Sequence, residues 1–175
     1  IILIKLIHFI FLINIYNMDS YFYGYTKRHK ITLHSDNRVL QITDEGLLYM
    51  VVDNGHNGSQ IELQEYINPD CMRRSLSLYY NDTKITFNKS CKNEAVQINI
   101  SNDSSTYSPY IIEKKINNLN NIAILNNSFA LFALDDFNRT EKIPGPIKWW
   151  DLDTTNNGKK IPKPNQLFIV KNYDK

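Results

Sequence analysis

Cysteine is almost missing from this chain: Cys71 and Cys91 are the only two in 175 residues. The pair allows one disulfide or two reduced thiols, and it excludes a disulfide-dense scaffold. No Cys-x-x-Cys or His-x-x-x-His pair occurs among the 4 His, which removes the usual zinc spacings. There is no glycine-rich phosphate loop and no nucleophile elbow. A strong excess of charge of one sign is missing too. The net charge is +2, so charge alone calls for neither nucleic acid nor an acidic membrane. No stretch keeps a capped 3.6-residue apolar period, and only residues 111–119 or 107–114 leave room for a short helical turn. No cofactor or metal is expected.

What is present is period-two alternation. In Ser75–Ser101, Leu76, Leu78 and Tyr80 alternate with polar or smaller neighbours up to the turn Asn81-Asp82-Thr83. Ile85 and Phe87 alternate next, then Val96, Ile98 and Ile100 after a second turn. Short alternating runs broken by Asn, Asp and Ser form an antiparallel signature. From Tyr21 onward the pattern predicts about twelve strands, which suits a sandwich, a barrel or a β-trefoil. The composition bounds one domain with a sizeable core, residues 18–175. Residues 1–17 are apolar and read either as a secretory-signal-like segment or as an upstream reading frame ahead of Met18.

Catalytic groups are hard to find. The carboxylate pairs Asp135-Asp136 and Asp151-x-Asp153 read as turn formers, and His56 as an exposed loop residue. Pro144-Gly145-Pro146 reads as a rigid loop. Trp149-Trp150 on a strand would send one ring inward and one outward. The basic run Lys27-Arg28-His29-Lys30 reads as a lead-in before the first strand, able to steer an acidic partner surface. Asn57, Asn81, Asn88, Asn99, Asn102, Asn126 and Asn138 each open an N-glycosylation sequon, more than this Asn-rich composition produces by chance. That excess favours a secretory route, with Asn99 mid-strand and inaccessible.

The order and spacing of several motifs carry a likeness. Tyr21-Phe22 opens the domain, and Val39-Leu40-x-Ile42 follows an Asn/Asp turn. Asp70-Cys71 precedes a strand that reaches Tyr80-x-Asp82, and Cys91-Lys92 ends the next. Gln166 to Asp174 closes the chain with an apolar strand and an acidic tail. In these features the chain resembles the interleukin-1 family of cytokines, in particular its interleukin-18 branch. The resemblance implies an all-β fold, a β-trefoil of about twelve short antiparallel strands, and no enzymatic activity. It implies an extracellular monomer, secreted by signal peptide or by an unconventional route, with no membrane span once mature. It implies binding to a receptor ectodomain of immunoglobulin-like modules, followed by an accessory receptor chain, as agonist or competitive antagonist of immune signalling. The receptor-binding residues it suggests are Lys27, Arg28, Asn81 and Asp82, with Asn81 standing where this branch carries a basic residue. The Asn- and Ile-rich composition, joined to so divergent a cytokine-like domain, suggests a copy captured by a large DNA virus; intron-bearing cellular genes on either side would contradict it. A different class of reading is a secreted all-β protein that inhibits or scavenges a soluble cytokine or protease.

Overall fold

The structure is a computed structural model that describes residues 25–87, 92–99, 106–126, 132–140 and 142–172. Among the described residues there is no α-helix, and every strand pairing is antiparallel. Among the described residues sixteen strands are formed, against about twelve expected. The surplus consists of two-residue pairings that leave no period in the sequence.

Six strands run side by side. In order they are β5 (Arg74–Tyr80), β4 (Ile61–Ile67), β1 (Tyr25–Ser35), β16 (Phe168–Asn172), β10 (Leu119–Leu125) and β9 (Tyr110–Ile116). The two ends of this series, β5 and β9, share no backbone ladder; Arg74 reaches across to Glu113 instead, so the barrel is not closed. The strand β9 replaces the short helical turn admitted for residues 111–119 or 107–114. Asn117 and Asn118 both hold positive φ, 48° and 62°, which makes the tight two-residue turn that returns the chain as β10.

The remaining strands form hairpins around one end. They are β2 (Arg38–Ile42) with β3 (Leu48–Val52), β6 (Thr83–Lys84) on β5, β7 (Thr86–Phe87) with β8 (Ile98–Asn99), and β11 (Phe132–Asp135) with β13 (Lys148–Asp151). A small pair, β14 (Asp153–Thr154) and β15 (Lys160–Ile161), lies before a 3₁₀ turn at Pro164–Gln166. Pro144-Gly145-Pro146 is not simply a loop: Gly145–Pro146 is strand β12, paired with Met50 and Tyr49 of β3. Proline fits there because only a short edge of the ladder is used.

Three of these segments interlock in a cycle. The Leu48 N–H donates to Val96 C=O (3.0 Å), Val96 N–H to Ile147 C=O (2.9 Å), and Ile147 N–H to Leu48 C=O (2.9 Å). All three side chains are buried. They come from three well-separated parts of the chain.

The main core fills the space inside the six strands and under the hairpins: Leu33, Met50, Ile61, Leu78, Phe87, Ile122 and Phe168 are all essentially unexposed. β10 is buried on both faces. Ile122 and Ile124 face the main core, while Ala123 and Leu125 pack with Ala133, Leu152 and Leu167. That second layer explains why the last four residues of this strand, 122–125, are all apolar. Trp149 enters the core and stacks edge-on to Phe87 with centroids 5.2 Å apart, while Trp150 stays half-buried at the surface. The two rings thus take opposite faces, as alternation requires.

Candidate functional site

The outer face of β1, β4 and β5 gathers three of the four residues marked by the sequence. β1 begins at Tyr25, so the basic run is not a lead-in but part of a strand paired with β4 from Tyr25↔Ile67 to Ile31↔Ile61. Its residues therefore alternate between faces. Arg28 points outward, 3.8 Å from Glu62 of β4 and 5.8 Å from the centre of the Tyr79 ring of β5. Glu62 and Tyr79 are direct cross-strand partners. Two residues beyond Tyr79, roughly 7 Å along the strand, the chain turns at Asn81 and Asp82. Both are exposed and hold positive φ, 48° and 60°, the conformation of a two-residue hairpin tip. Lys27, one residue from Arg28, belongs to the opposite face and does not join this cluster.

The face therefore presents a cation, a carboxylate, a phenol ring and an acidic turn on rigid strands. Such a surface is suited to docking a protein partner, because its side chains are held before contact and little ordering cost remains. Glu62 and Tyr79 had no motif of their own; only the register of β1 with β4 and of β4 with β5 brings them beside Arg28.

The sequons differ sharply in access. Asn126 is 7% exposed, and its Oδ1 accepts the Phe132 N–H at 3.4 Å. Asn138 is half-buried against Gly145, where an added Cβ would collide with its amide. Asn57 donates from Nδ2 to the Val52 carbonyl (2.7 Å) and accepts the Asn54 N–H. Asn99 is half-buried in β8, opposite Thr86. Asn88, Asn102 and Cys91 fall outside the described residues, as do residues 1–17, Tyr21-Phe22 and the acidic tail. Cys71 is exposed with a free thiol in the turn between β4 and β5.

Asp135 and Asp136 are not turn formers in solvent. Both are buried, and each is tied to distant sequence. Asp136 pairs bidentately with Arg38, at 3.1 and 2.5 Å, and Arg38 also donates to the Ile143 carbonyl at 2.9 Å. Asp135 accepts hydrogen bonds from Asn165 Nδ2 (2.5 Å) and Gln166 Nε2 (3.0 Å). The network joins β2 and β11 to the 3₁₀ turn and pins the loop before β12. On that loop Phe137 stays 54% exposed, 5.7 Å from Trp150, with Lys148 over the Phe137 ring and Lys92 over Trp150.

Burial pushes the Asp135 carboxyl up to about 6, against the Gln166 and Asn165 donors and the Lys163 charge, with Asp136 adding to the rise. A carboxyl whose folded pKa is raised favours the fold when protonated. Its contribution is complete below its ordinary value near 3.8 and is lost as pH rises through about 6. Relative to the Asp135→Asn variant, the natural chain is therefore expected to gain roughly 2 kcal/mol between pH 7 and pH 4. Urea denaturation of both at the two pH values checks this, and parallel pH profiles would contradict it.

One arrangement imitates a nucleophilic triad. Thr32 Oγ1 lies 2.8 Å from His34 Nε2, and His34 Nδ1 lies 3.3 Å from Asp53 Oδ2. The second contact has charge-pair distance without hydrogen-bond alignment. Burial and the Lys171 charge hold the His34 pKa below its ordinary value in spite of Asp53. Thr32 and His34 are only 9% and 5% exposed, and the group reads as packing between β1 and the loop after β3.

A cavity of about 400 Å³ is lined by residues of β1, β4, β5, β9, β10 and β16, with Leu63 and Ile122 among its apolar lining and Glu65, Arg74 and Glu113 among its charges. Arg74 serves both glutamates, and those bonds raise its pKa further. Among the described residues no group of three His, Cys, Asp or Glu is placed to hold a metal, and no helix is long and apolar enough to cross a membrane. Compared with known proteins, the chain matches no family model and no curated protein.

Proposed function

We propose that this chain is a β-trefoil cytokine of the interleukin-1 type, acting outside the cell by binding a receptor ectodomain through the face built by Arg28, Glu62, Tyr79 and Asp82. The observation that carries the fold is the cycle of backbone hydrogen bonds through Leu48, Val96 and Ile147. A trefoil has three units meeting around one axis, with six strands as a barrel and three hairpins as its cap. The ordered series β5-β4-β1-β16-β10-β9, six antiparallel neighbours, and the cycle of three backbone hydrogen bonds support this reading. The sequence order of the motifs then supports the interleukin-18 branch, and the excess of sequons supports secretion. The function is recognition, with the partner a receptor of immunoglobulin-like modules and a second chain recruited after it.

The test is sequential capture. Immobilised interleukin-18 receptor primary chain is expected to retain the protein. Recruitment of the accessory chain by that complex identifies an agonist; capture without recruitment identifies a blocker. In either case Asp82→Lys, a change confined to the exposed tip, is expected to weaken capture at least tenfold, about 1.4 kcal/mol. Absence of any capture by the natural chain would remove the receptor reading.

A further inference from the structure

We infer that Asn81 is a site of N-linked glycosylation and that its glycan stands over the receptor-facing surface as a steric gate. The gating part rests on the receptor reading above; the site itself rests on geometry alone. Among the sequons whose asparagine the structure describes, Asn81 differs from every other in its access. It is exposed at a hairpin tip, and its side chain makes no hydrogen bond among the described residues. Asn126 is buried, Asn138 is wedged on Gly145, Asn57 uses its amide nitrogen on Val52, and Asn99 sits in a strand.

The oligosaccharyl group comes from a lipid-linked diphosphate donor. The bond between its anomeric carbon and the diphosphate oxygen breaks, a new bond forms to Asn81 Nδ2, and that nitrogen releases one proton as the lipid diphosphate leaves. Thr83 supplies the hydroxyl that the sequon needs, two residues on. The transfer precedes folding, so it is not itself limited by burial. Folding is. A chain carrying a glycan on Asn126 cannot bury that residue, and one carrying it on Asn138 cannot seat Gly145. The folded, secreted pool is therefore depleted of both, while a glycan on Asn81 projects into solvent at no cost to packing.

Its position gives it a consequence. Asn81 is adjacent to Asp82 and two residues from Tyr79, whose ring carries Arg28. A branched sugar at that point covers the face that would meet a receptor.

Expression of the full 175-residue chain behind an added secretion signal, in a glycosylating cell line, tests both parts. Peptide mapping of the secreted protein after enzymatic deglycosylation, which converts occupied Asn to Asp, is expected to mark Asn81 and to leave Asn126 and Asn138 unmarked. A secreted pool with Asn81 unmarked, or with Asn126 marked, would overturn the site. The Thr83→Val variant, nearly isosteric, abolishes the sequon and leaves Asn81 in place. It is expected to bind the receptor primary chain at least tenfold more tightly than the glycosylated protein, and enzymatically deglycosylated protein is expected to behave like it. Equal binding by all three overturns the gate and leaves the modification standing. Binding by none of them overturns the receptor reading, and the gate with it, while the mapping still decides the site.

Discussion

Replacing Arg38 by alanine is expected to lower the stability of the fold by about 3–5 kcal/mol. The guanidinium is completely buried, and its partner Asp136 is 2% exposed. Removing one member of such a pair leaves the other charge inside the protein without compensation. It also takes the donor away from the Ile143 carbonyl, so the loop before β12 loses its second anchor. For a domain of this size the loss corresponds to a fall of roughly 10 °C in melting temperature. The pair itself is a different matter. Arg38 Nε is buried with no hydrogen-bond partner among the described residues, so the site is not fully satisfied. The double variant Arg38→Met with Asp136→Leu is therefore expected to recover most of the lost stability. Thermal melts of the single and double variants decide the matter; a double variant no more stable than Arg38→Ala would mean that the ionic pair contributes more than its desolvation costs.

The second large effect is expected at Phe87. Its ring is 1% exposed and meets Trp149 edge-on, with Tyr107 tilted at 6.3 Å. Its backbone exchanges two hydrogen bonds with Tyr107, each 3.0 Å, so the site cannot easily collapse inward. The void already present in this part of the core measures about 10 Å³, at the lower limit for one water molecule. Phe87→Ala would open an apolar cavity beside Trp149, and the expected cost is about 3–5 kcal/mol. Phe87→Leu keeps most of the volume and is expected to cost under about 2 kcal/mol. Urea denaturation of the two variants, compared at constant m-value, measures the difference. A Phe87→Ala variant within 1 kcal/mol of the natural chain would mean that the core repacks, and would contradict the close fit around Trp149.

Much of the all-β architecture was legible in the alternation of residues such as Leu76, Leu78, Ile85 and Phe87, because half-buried strands must place apolar groups at every second position. The opposite destinations of Trp149 and Trp150 follow from the same rule. Three things were not legible. The basic run from Lys27 to Lys30 carries no apolar alternation, yet it lies in β1 because β4 offers it a full ladder, Glu62 and Gln64 included. Pairing, rather than pattern, decides such a segment. Asp135-Asp136 looks like any polar turn; its burial depends on Arg38, nearly a hundred residues away, and on Gln166, and no local signal records either partner. The cycle through Leu48, Val96 and Ile147 is made of backbone groups, which any residue can supply, so it leaves no repeat in the side chains. The candidate surface shares this limit. Arg28 and Asp82 were visible as a basic run and an acidic turn, but Tyr79 and Glu62 join them only through strand register.

The direct test of the proposed receptor-binding surface is a hydrogen-exchange footprint of the receptor primary chain on the intact protein. The account predicts that added protection on binding concentrates at the outer face of β1 and β4 around Arg28 and Glu62, and at residues 79–83 of the β5–β6 hairpin. Protection centred instead on Phe137 and Trp150, at the pinned loop and β13, would contradict it, as would an unchanged exchange pattern.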